Sequence, residues 1–542
     1  MKLTDFTYLN ETYQTPTDKV VLVGMTSNGP IQRPFLLEEN KNVIDMLGKN
    51  ELSTAYMQLE LNNVSRENII IYRLNGTYGE IILKNEKNEE YFKIRTVSAN
   101  NNNKLIEVNI LPTGIVVTKY IEIDEELNNE MIKSTEVEYK MTYIFSDYIH
   151  LYELADDINK DASLGLIDII AKELIDGNIE NYFKEERKIM LDTSDSENGY
   201  CLSNEDSYEN FKPLYWDKFH KGVIGQDYNG NYINTRLSNI KSELMIFTDV
   251  YYDKFPEIGT FVAKLANQIQ DEQDIYIASV IGVSKTPDLD TPPEDYTLIS
   301  GNQYYNDIGE TVYFDKRKTI KSYISDLKTL ATTEERNEEY MNNLQVVIGT
   351  EYEEIEEKYY NALGSYAGVY IKNNKFIPVS NKEIFYINEI LDSITRTETS
   401  ELSKYGYISL VPSIRKNLVA FKAQSFESNN TILSQLNNKR LYGVIKTDLR
   451  TILDVYIGKN RKKINVAQLS KYFDEYFDNL IKYNYINDYT YELPSQQKWD
   501  NQDIYDLKIE LILYGEIHNI NSNFSINPKD EGGITVWETI ED

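Results

Sequence analysis

The chain has 542 residues, too many for one ordinary hydrophobic core, so two to four domains are expected. Apolar residues make up 41% and aromatics 12%, with 44 tyrosines, which excludes a disordered acidic tail. The formal net charge of −31 argues against a nucleic-acid footprint, because phosphate binding depends on clustered Lys and Arg.

Cys201 is the single cysteine, so an intrachain disulfide scaffold is excluded and an inert thiol is the simplest reading. The opening residues lack the apolar core of a signal peptide, and no apolar run approaches the roughly 20 residues of a membrane span. Membrane insertion is therefore not expected, and assembly in a cytosol-like compartment is.

Residues 1–18 read as an extended arm carrying Leu3, Phe6 and Tyr8, or else as a frayed terminus. The β-branched run Val20 to Val23, stopped by Gly24, predicts a buried strand. A turn-rich segment follows, with Gly29-Pro30 and Pro34. Leu52, Ala55, Tyr56 and Leu59 then recur at i, i+3, i+4 and i+7, which predicts a helix, and Ile69 to Tyr72 predicts a second strand. Strand, helix-containing crossover and strand form a βαβ-like unit over 19–76 that needs a cover on its far face.

The segment 77–242 changes character. From Ile81 to Tyr143 apolar runs are separated by turns, which predicts an inserted antiparallel β region. A helical, acidic stretch is expected from Ser146 to Glu185, with Leu164, Ile167, Ile170, Ala171 and Leu174 on one face, and 192–231 reads as loop. The α/β pattern resumes over 243–400: a strand at Glu243 to Val250, a helix at Ile258 to Ile269, a strand at Asp274 to Val283, a loop over 285–311, a helix at Lys316 to Ala331 and a strand at Leu344 to Thr350. Tyr359, Ala362, Leu363, Tyr366, Ala367 and Val369 then predict a helix whose small residues permit close packing. In the C-terminal segment 401–528, Tyr405 to Phe426 reads as two strands, Lys439 to Thr451 as a helix start, Ala467 to Tyr485 as an amphipathic helix, and Leu507 to Ile517 as a strand of period two. Residues 529–542 form a last arm. Gly532 and Gly533 make a hinge ahead of Ile534 to Ile540, in which Ile534, Val536, Trp537 and Ile540 give strong strand propensity. That strand either folds back on its own sheet or adds to an edge in a neighbouring subunit.

No catalytic constellation emerges. With only His150, His220 and His518, a His-rich metal site is out of reach, and no pair has ligand spacing. The Gly-rich turn at 24–30 lacks the Lys-Ser/Thr of a phosphate loop, and no GxSxG elbow is present. Acidic pairs such as Glu353-Glu354 and Glu356-Glu357 are read as solvated faces. No cofactor is expected. The basic patch with Lys459, Arg461, Lys462 and Lys463 stands out against the acidic background, either as a contact for an acidic neighbour or as a solvated turn.

The ordered elements Val20 to Gly24, Gly29-Pro30, Pro34, Met46-Leu47-Gly48, Leu52 to Tyr56 and Ile71 to Leu74 resemble the start of phage contractile tail sheath proteins. Ser365 to Gly368, Tyr405 to Phe426 and Lys439 to Thr451 extend the resemblance, which covers about residues 15–76 and 243–540. It implies a mixed α/β fold: a tail-sheath-like core built from both N- and C-terminal parts of the chain, an inserted β-rich domain and extended terminal arms. It implies a structural subunit, not an enzyme. Such a subunit polymerises with itself as stacked hexameric rings around a tail tube protein, exchanges arm strands, meets baseplate and tail terminator proteins, and resides in the virion tail. A sheath-fold paralogue at the neck, collar or baseplate, the sheath of a bacterial injection particle, and a virion-associated hydrolase are the rival readings.

Overall fold

The computed structural model describes residues 19–191 and 240–514, apart from 27–28, 31–33, 75–78, 98–105, 128–129, 165, 241, 255, 274–275, 284–296, 301–302, 306–310, 314–315, 333, 354–357, 374–376, 386–388, 391–393, 414–417, 428–433, 455–464, 494 and 496–507, and also describes the strands at 6–8, 521–528 and 534–541. Its centre is a ten-stranded sheet in the order Phe6–Tyr8, Pro34–Leu37, Ile69–Arg73, Val20–Gly24, Leu244–Tyr251, Ala278–Gly282, Leu344–Ile348, Tyr407–Pro412, Leu418–Phe421, Glu383–Ile384. The six strands from Ile69–Arg73 to Tyr407–Pro412 run parallel. Antiparallel strands finish both sides.

The continuous apolar runs of the sequence are explained by burial on two faces. Along Val20–Gly24, Val21 and Val23 join one apolar cluster and Val20 and Leu22 the other, with no side chain reaching solvent. The first face is covered by the helices Pro256–Gln273, through Ile258, Val262, Leu265 and Ile269, and Lys316–Leu330, through Ile324 and Leu327. Glu51–Leu61 and Leu363–Lys372 cover the second with Leu52, Tyr56, Leu59, Tyr366 and Tyr370. Sheet alternation and helix stripes thus produce three layers.

The two helices on the second face approach backbone to backbone. A Cβ on Gly364 would lie 2.0 Å from the Ala55 carbonyl oxygen, and one on Gly368 would lie 2.4 Å from Asn62 Cβ. The expected close packing of a small-residue helix is what the structure shows.

Between the strand Ile69–Arg73 and the strand Leu244–Tyr251 the chain builds a separate apolar cluster. One sheet there has the order Ile169–Glu173, Glu90–Thr96, Glu80–Lys84, and a second has Arg187–Met190, Ile106–Leu111, Gly114–Leu127, Glu130–Ile144. The helix Leu151–Ser163 buries Leu151, Leu154 and Ile158 in this cluster. The expected helical face at 164–174 is corrected: Ile169–Glu173 is a strand paired antiparallel with Glu90–Thr96. Ile169 and Ala171 are buried and alternate with half-buried Ile170 and Lys172, a period of two.

Two further expectations change. The stretch read as loop over 285–311 contains the strands Thr297–Ser300 and Gln303–Tyr305, which form a small sheet with Thr311–Tyr313. Tyr359 belongs to the strand Lys358–Asn361 rather than to the helix after it. Among the described residues no helix is long and apolar enough to cross a membrane.

Candidate functional site

A doubly wound sheet places its ligand crevice where the strand order reverses, outside the carboxyl ends of the strands. Here that place lies between Val20–Gly24 and Leu244–Tyr251, since the chain leaves the first toward Ile69–Arg73 and the second toward Ala278–Gly282. It is packed with the chain's own side chains. The Gly24 Cα is so close to the second strand that an added Cβ would stand 1.9 Å from Thr248 Oγ1. Asp249, at φ 60°, accepts from the Met25 amide at 2.9 Å and from Thr248 Oγ1 at 2.9 Å.

A second buried polar group continues from there. Glu51 accepts from Tyr251 Oη at 3.1 Å and from the Asn361 amide at 2.9 Å. Gln58 Oε1 accepts from the amides of Gly364 and Ser365 at the start of their helix, while its Nε2 donates to Glu351. Glu51 and Gln58 thus tie three distant parts of the chain together, with both Glu51 oxygens and Gln58 Oε1 accepting from backbone and side-chain donors.

The remaining candidates are surfaces for assembly. The C-terminal part has its own apolar cluster, in which the helices Leu436–Asp454 and Val466–Lys482 pack Leu441, Ile445, Leu469, Phe473 and Phe477. On them lies a sheet of only two strands, Ile486–Glu492 and Lys508–Leu513. Tyr489 and Tyr491 face the helix. Phe477 stacks on Tyr489 at 4.6 Å, and Phe473 meets Tyr491 edge-on at 5.4 Å. Tyr489 Oη donates to Asp478 at 3.0 Å and Tyr491 Oη to Asp474 at 2.6 Å, so two carboxylates one helical turn apart hold one strand face. Partial desolvation and these carboxylates push both phenols above their ordinary range. The opposite face carries exposed Asp488, Thr490, Glu510 and Ile512. Among the described residues neither outer edge of this sheet has a third strand.

The expected arm residues fall on strands. Phe6 and Tyr8 belong to the strand Phe6–Tyr8, in register with Leu37 and Phe35 at one end of the main sheet. Ile534, Val536, Trp537 and Ile540 belong to Ile534–Glu541, which pairs antiparallel with Asn521–Pro528 through the register Ile534↔Pro528 to Glu541↔Asn521. The partner Asn521–Pro528 was missed in the sequence. Its Asn-rich composition masks strand propensity, although a short sequence stretch with Gly532 and Gly533 ahead of the β-branched run is a hairpin signal. Leu3, Lys459, Arg461, Lys462, Lys463, Cys201, His220 and His518 lie outside the described residues. His150 precedes the helix Leu151–Ser163 and stacks on Tyr152 at 5.4 Å. Among the described residues no cluster of three or more His, Cys, Asp or Glu could hold a metal ion.

No family model and no curated protein matches the sequence. Solved structures do match. The sheath tail protein from Desulfitobacterium hafniense aligns over 94% of this chain and 100% of its own, at 11% identity and a TM-score of 0.46. The chain resembles tail sheath proteins. The sheath tail protein from Listeria innocua covers 92% of this chain and 96% of its own, at 11% identity and a TM-score of 0.46. The sheath of an extracellular contractile injection system in the contracted state covers 53% of this chain and 71% of its own, at 10% identity and a TM-score of 0.36.

Proposed function

We propose that this chain is the structural subunit of a phage contractile tail sheath, polymerising as stacked rings around a tail tube and held together by exchanged strands. The observation that carries the proposal is the two-stranded sheet Ile486–Glu492 and Lys508–Leu513, with one face packed on its helix and both edges lacking a ladder partner among the described residues. Such a sheet is a template for strands from other copies. The hairpin Asn521–Pro528 and Ile534–Glu541 supplies them: an isolated two-stranded hairpin is marginal in water, so it gains by joining a larger sheet.

The ordered sequence elements that resemble sheath proteins support the same reading, as does a switch point filled by packed side chains. Contraction would be a sliding of nearly rigid three-layer subunits, with the terminal strands as hinges that keep rings connected. Storage of energy in a kinetically trapped packing needs no nucleotide. The tube protein, the baseplate and the tail terminator are the partners this role requires, and the virion tail is its place.

Electron microscopy of the purified chain tests the proposal. Tubes or stacked rings are expected, and deletion of residues 534–542 should abolish them while leaving a folded monomer. A monodisperse wild-type monomer with measurable glycan hydrolase activity would overturn the reading.

A further inference from the structure

The apolar cluster of the 79–191 segment carries a feature separate from the two-stranded sheet on which the proposed assembly rests. A cavity of about 250 Å³ opens between the turn at 84–87 and the segment 181–187, with Tyr91, Tyr182 and Phe183 on its inner side. Drug-sized pockets run roughly 300–1,000 Å³, so this one is scaled to a single ring.

Its aromatic wall is built, not incidental. Phe183 sits at φ 55°, in the left-handed region that a bulky residue rarely adopts. That backbone sends the Phe183 ring into the core, where it stacks on Phe145 at 4.6 Å and meets Phe92 and Tyr91 edge-on. Tyr182 and Lys184 on either side line the cavity. The Tyr182 ring stacks on buried Tyr91 at 4.6 Å. Gly177 makes room for it, since a Cβ there would lie 2.6 Å from the ring and 2.9 Å from the hydroxyl.

Charge then narrows the ligand. Lys84, Lys87, Lys184 and Arg187 line the cavity against Glu86 and Glu185, a local excess of cations in a chain of net charge −31. Glu90 pairs with Lys84 at 3.0 Å and Glu185 with Arg187 at 2.8 Å. Among the described residues Lys87 and Lys184 have no carboxylate within ion-pair distance, and both are exposed at the rim. Asn181 adds an amide that can both donate and accept.

We infer that this cavity binds a sugar unit bearing a carboxylate or phosphate. On that wall the half-buried Tyr182 ring takes the apolar face of the sugar, Asn181 and Glu86 take hydroxyls, and Lys87 and Lys184 take the anionic group. A plain anion would use the lysines but not the wall, and a neutral sugar the wall but not the lysines.

Calorimetric titration of the full chain with glucuronate and glucose 6-phosphate tests this, with glucose and inorganic phosphate as the two halves. The acidic sugars should bind about tenfold more tightly than either half. Tyr182→Ala should weaken them about tenfold and the exposed Lys184→Glu about fivefold, with melting temperatures confirming that the variants fold. Absence of binding by the wild type, equal affinity for inorganic phosphate, or affinities unchanged in Lys184→Glu would overturn the inference. None of these readouts depends on whether the chain polymerises.

Discussion

Arg440 Nε lies 2.7 Å from Glu243 Oε1, and both side chains are almost completely removed from solvent. The guanidinium also lies 4.3 Å from the centre of the Tyr370 ring. Glu243 opens the strand that restarts the main sheet: its amide donates to Lys19 and its carbonyl accepts from Ala278. The pair therefore fastens the C-terminal helix Leu436–Asp454 to the sheet at the point where the chain returns from its insertion. Removing one partner strands a buried charge, so Arg440→Met should cost about 3–5 kcal/mol, and Arg440→Met with Glu243→Leu should recover much of it. Urea denaturation of the two variants checks this, and equal losses in both would refute the account.

The contact of Gly364 with Ala55 gives a steric test. An added Cβ would meet a backbone carbonyl at 2.0 Å, where no flexible side chain can yield. Gly364→Ala should therefore destabilise by about 1–3 kcal/mol or more, despite the better helix propensity of alanine. A melting temperature equal to wild type would show that the two helices separate freely.

Asp249 combines a positive φ with a carboxylate that accepts from the Met25 amide, 224 residues earlier in the chain. Asp249→Ala loses both the tolerance for that backbone and the acceptor, and about 2–4 kcal/mol is expected from an orphaned buried amide plus strain. Asp249→Asn keeps a side-chain oxygen and tolerates left-handed backbone, so it should lose markedly less. Chemical denaturation that ranks the two in the opposite order would contradict this role.

Much of the three-layer core was legible because its strands are short apolar runs and its helices carry apolar stripes, as in Val20–Gly24 and Pro256–Gln273. Ile167, Ile170, Ala171 and Leu174 misled because their spacing fits a helix as well as a strand. Pairing with Glu90–Thr96 decided between them, and that contact is invisible in a local window. The polar ties were illegible for the same reason: nothing near Glu243 in sequence announces Arg440, and nothing near Met25 announces Asp249. The strand Ile534–Glu541 was legible from its β-branched and aromatic residues, Phe6–Tyr8 reads in sequence only as extended arm, and the partner Asn521–Pro528 was hidden by its asparagines.

Tyr489 and Tyr491 predict an alkaline limit for the C-terminal cluster. Partial desolvation first, then the hydrogen bonds to Asp478 and Asp474, raise both phenols in the folded state. A group whose folded pKa is raised contributes stability fully below its unfolded value, near 10 for tyrosine, and loses it as pH rises toward the folded value. Stability should therefore be flat from pH 7 to about 9.5 and fall above pH 10. The double variant Tyr489→Phe and Tyr491→Phe should start less stable and fall less steeply over the same interval. Hydrogen exchange of the helix Val466–Lys482 at pH 8 and pH 10.5 reads the difference, and parallel slopes in the two proteins would refute it.

Assembly through strands has to overcome charge. Copies at −31 repel one another, and this repulsion reaches about 10 Å at 0.1 M salt but only about 3 Å at 1 M. Strand pairing uses backbone hydrogen bonds and apolar contact, which salt screens little. Raising ionic strength should therefore promote polymers of the wild-type chain, measured by light scattering, whereas assembly driven by the basic patch at Lys459 to Lys463 would weaken under the same change. Val536→Pro separates the two mechanisms further. It puts a residue with no amide donor inside Ile534–Glu541 without touching the main sheet, so the variant should melt like wild type yet stay monomeric at every salt concentration. Polymers of Val536→Pro at high salt would mean that the terminal strand is a passenger, and that the subunits meet through some other surface.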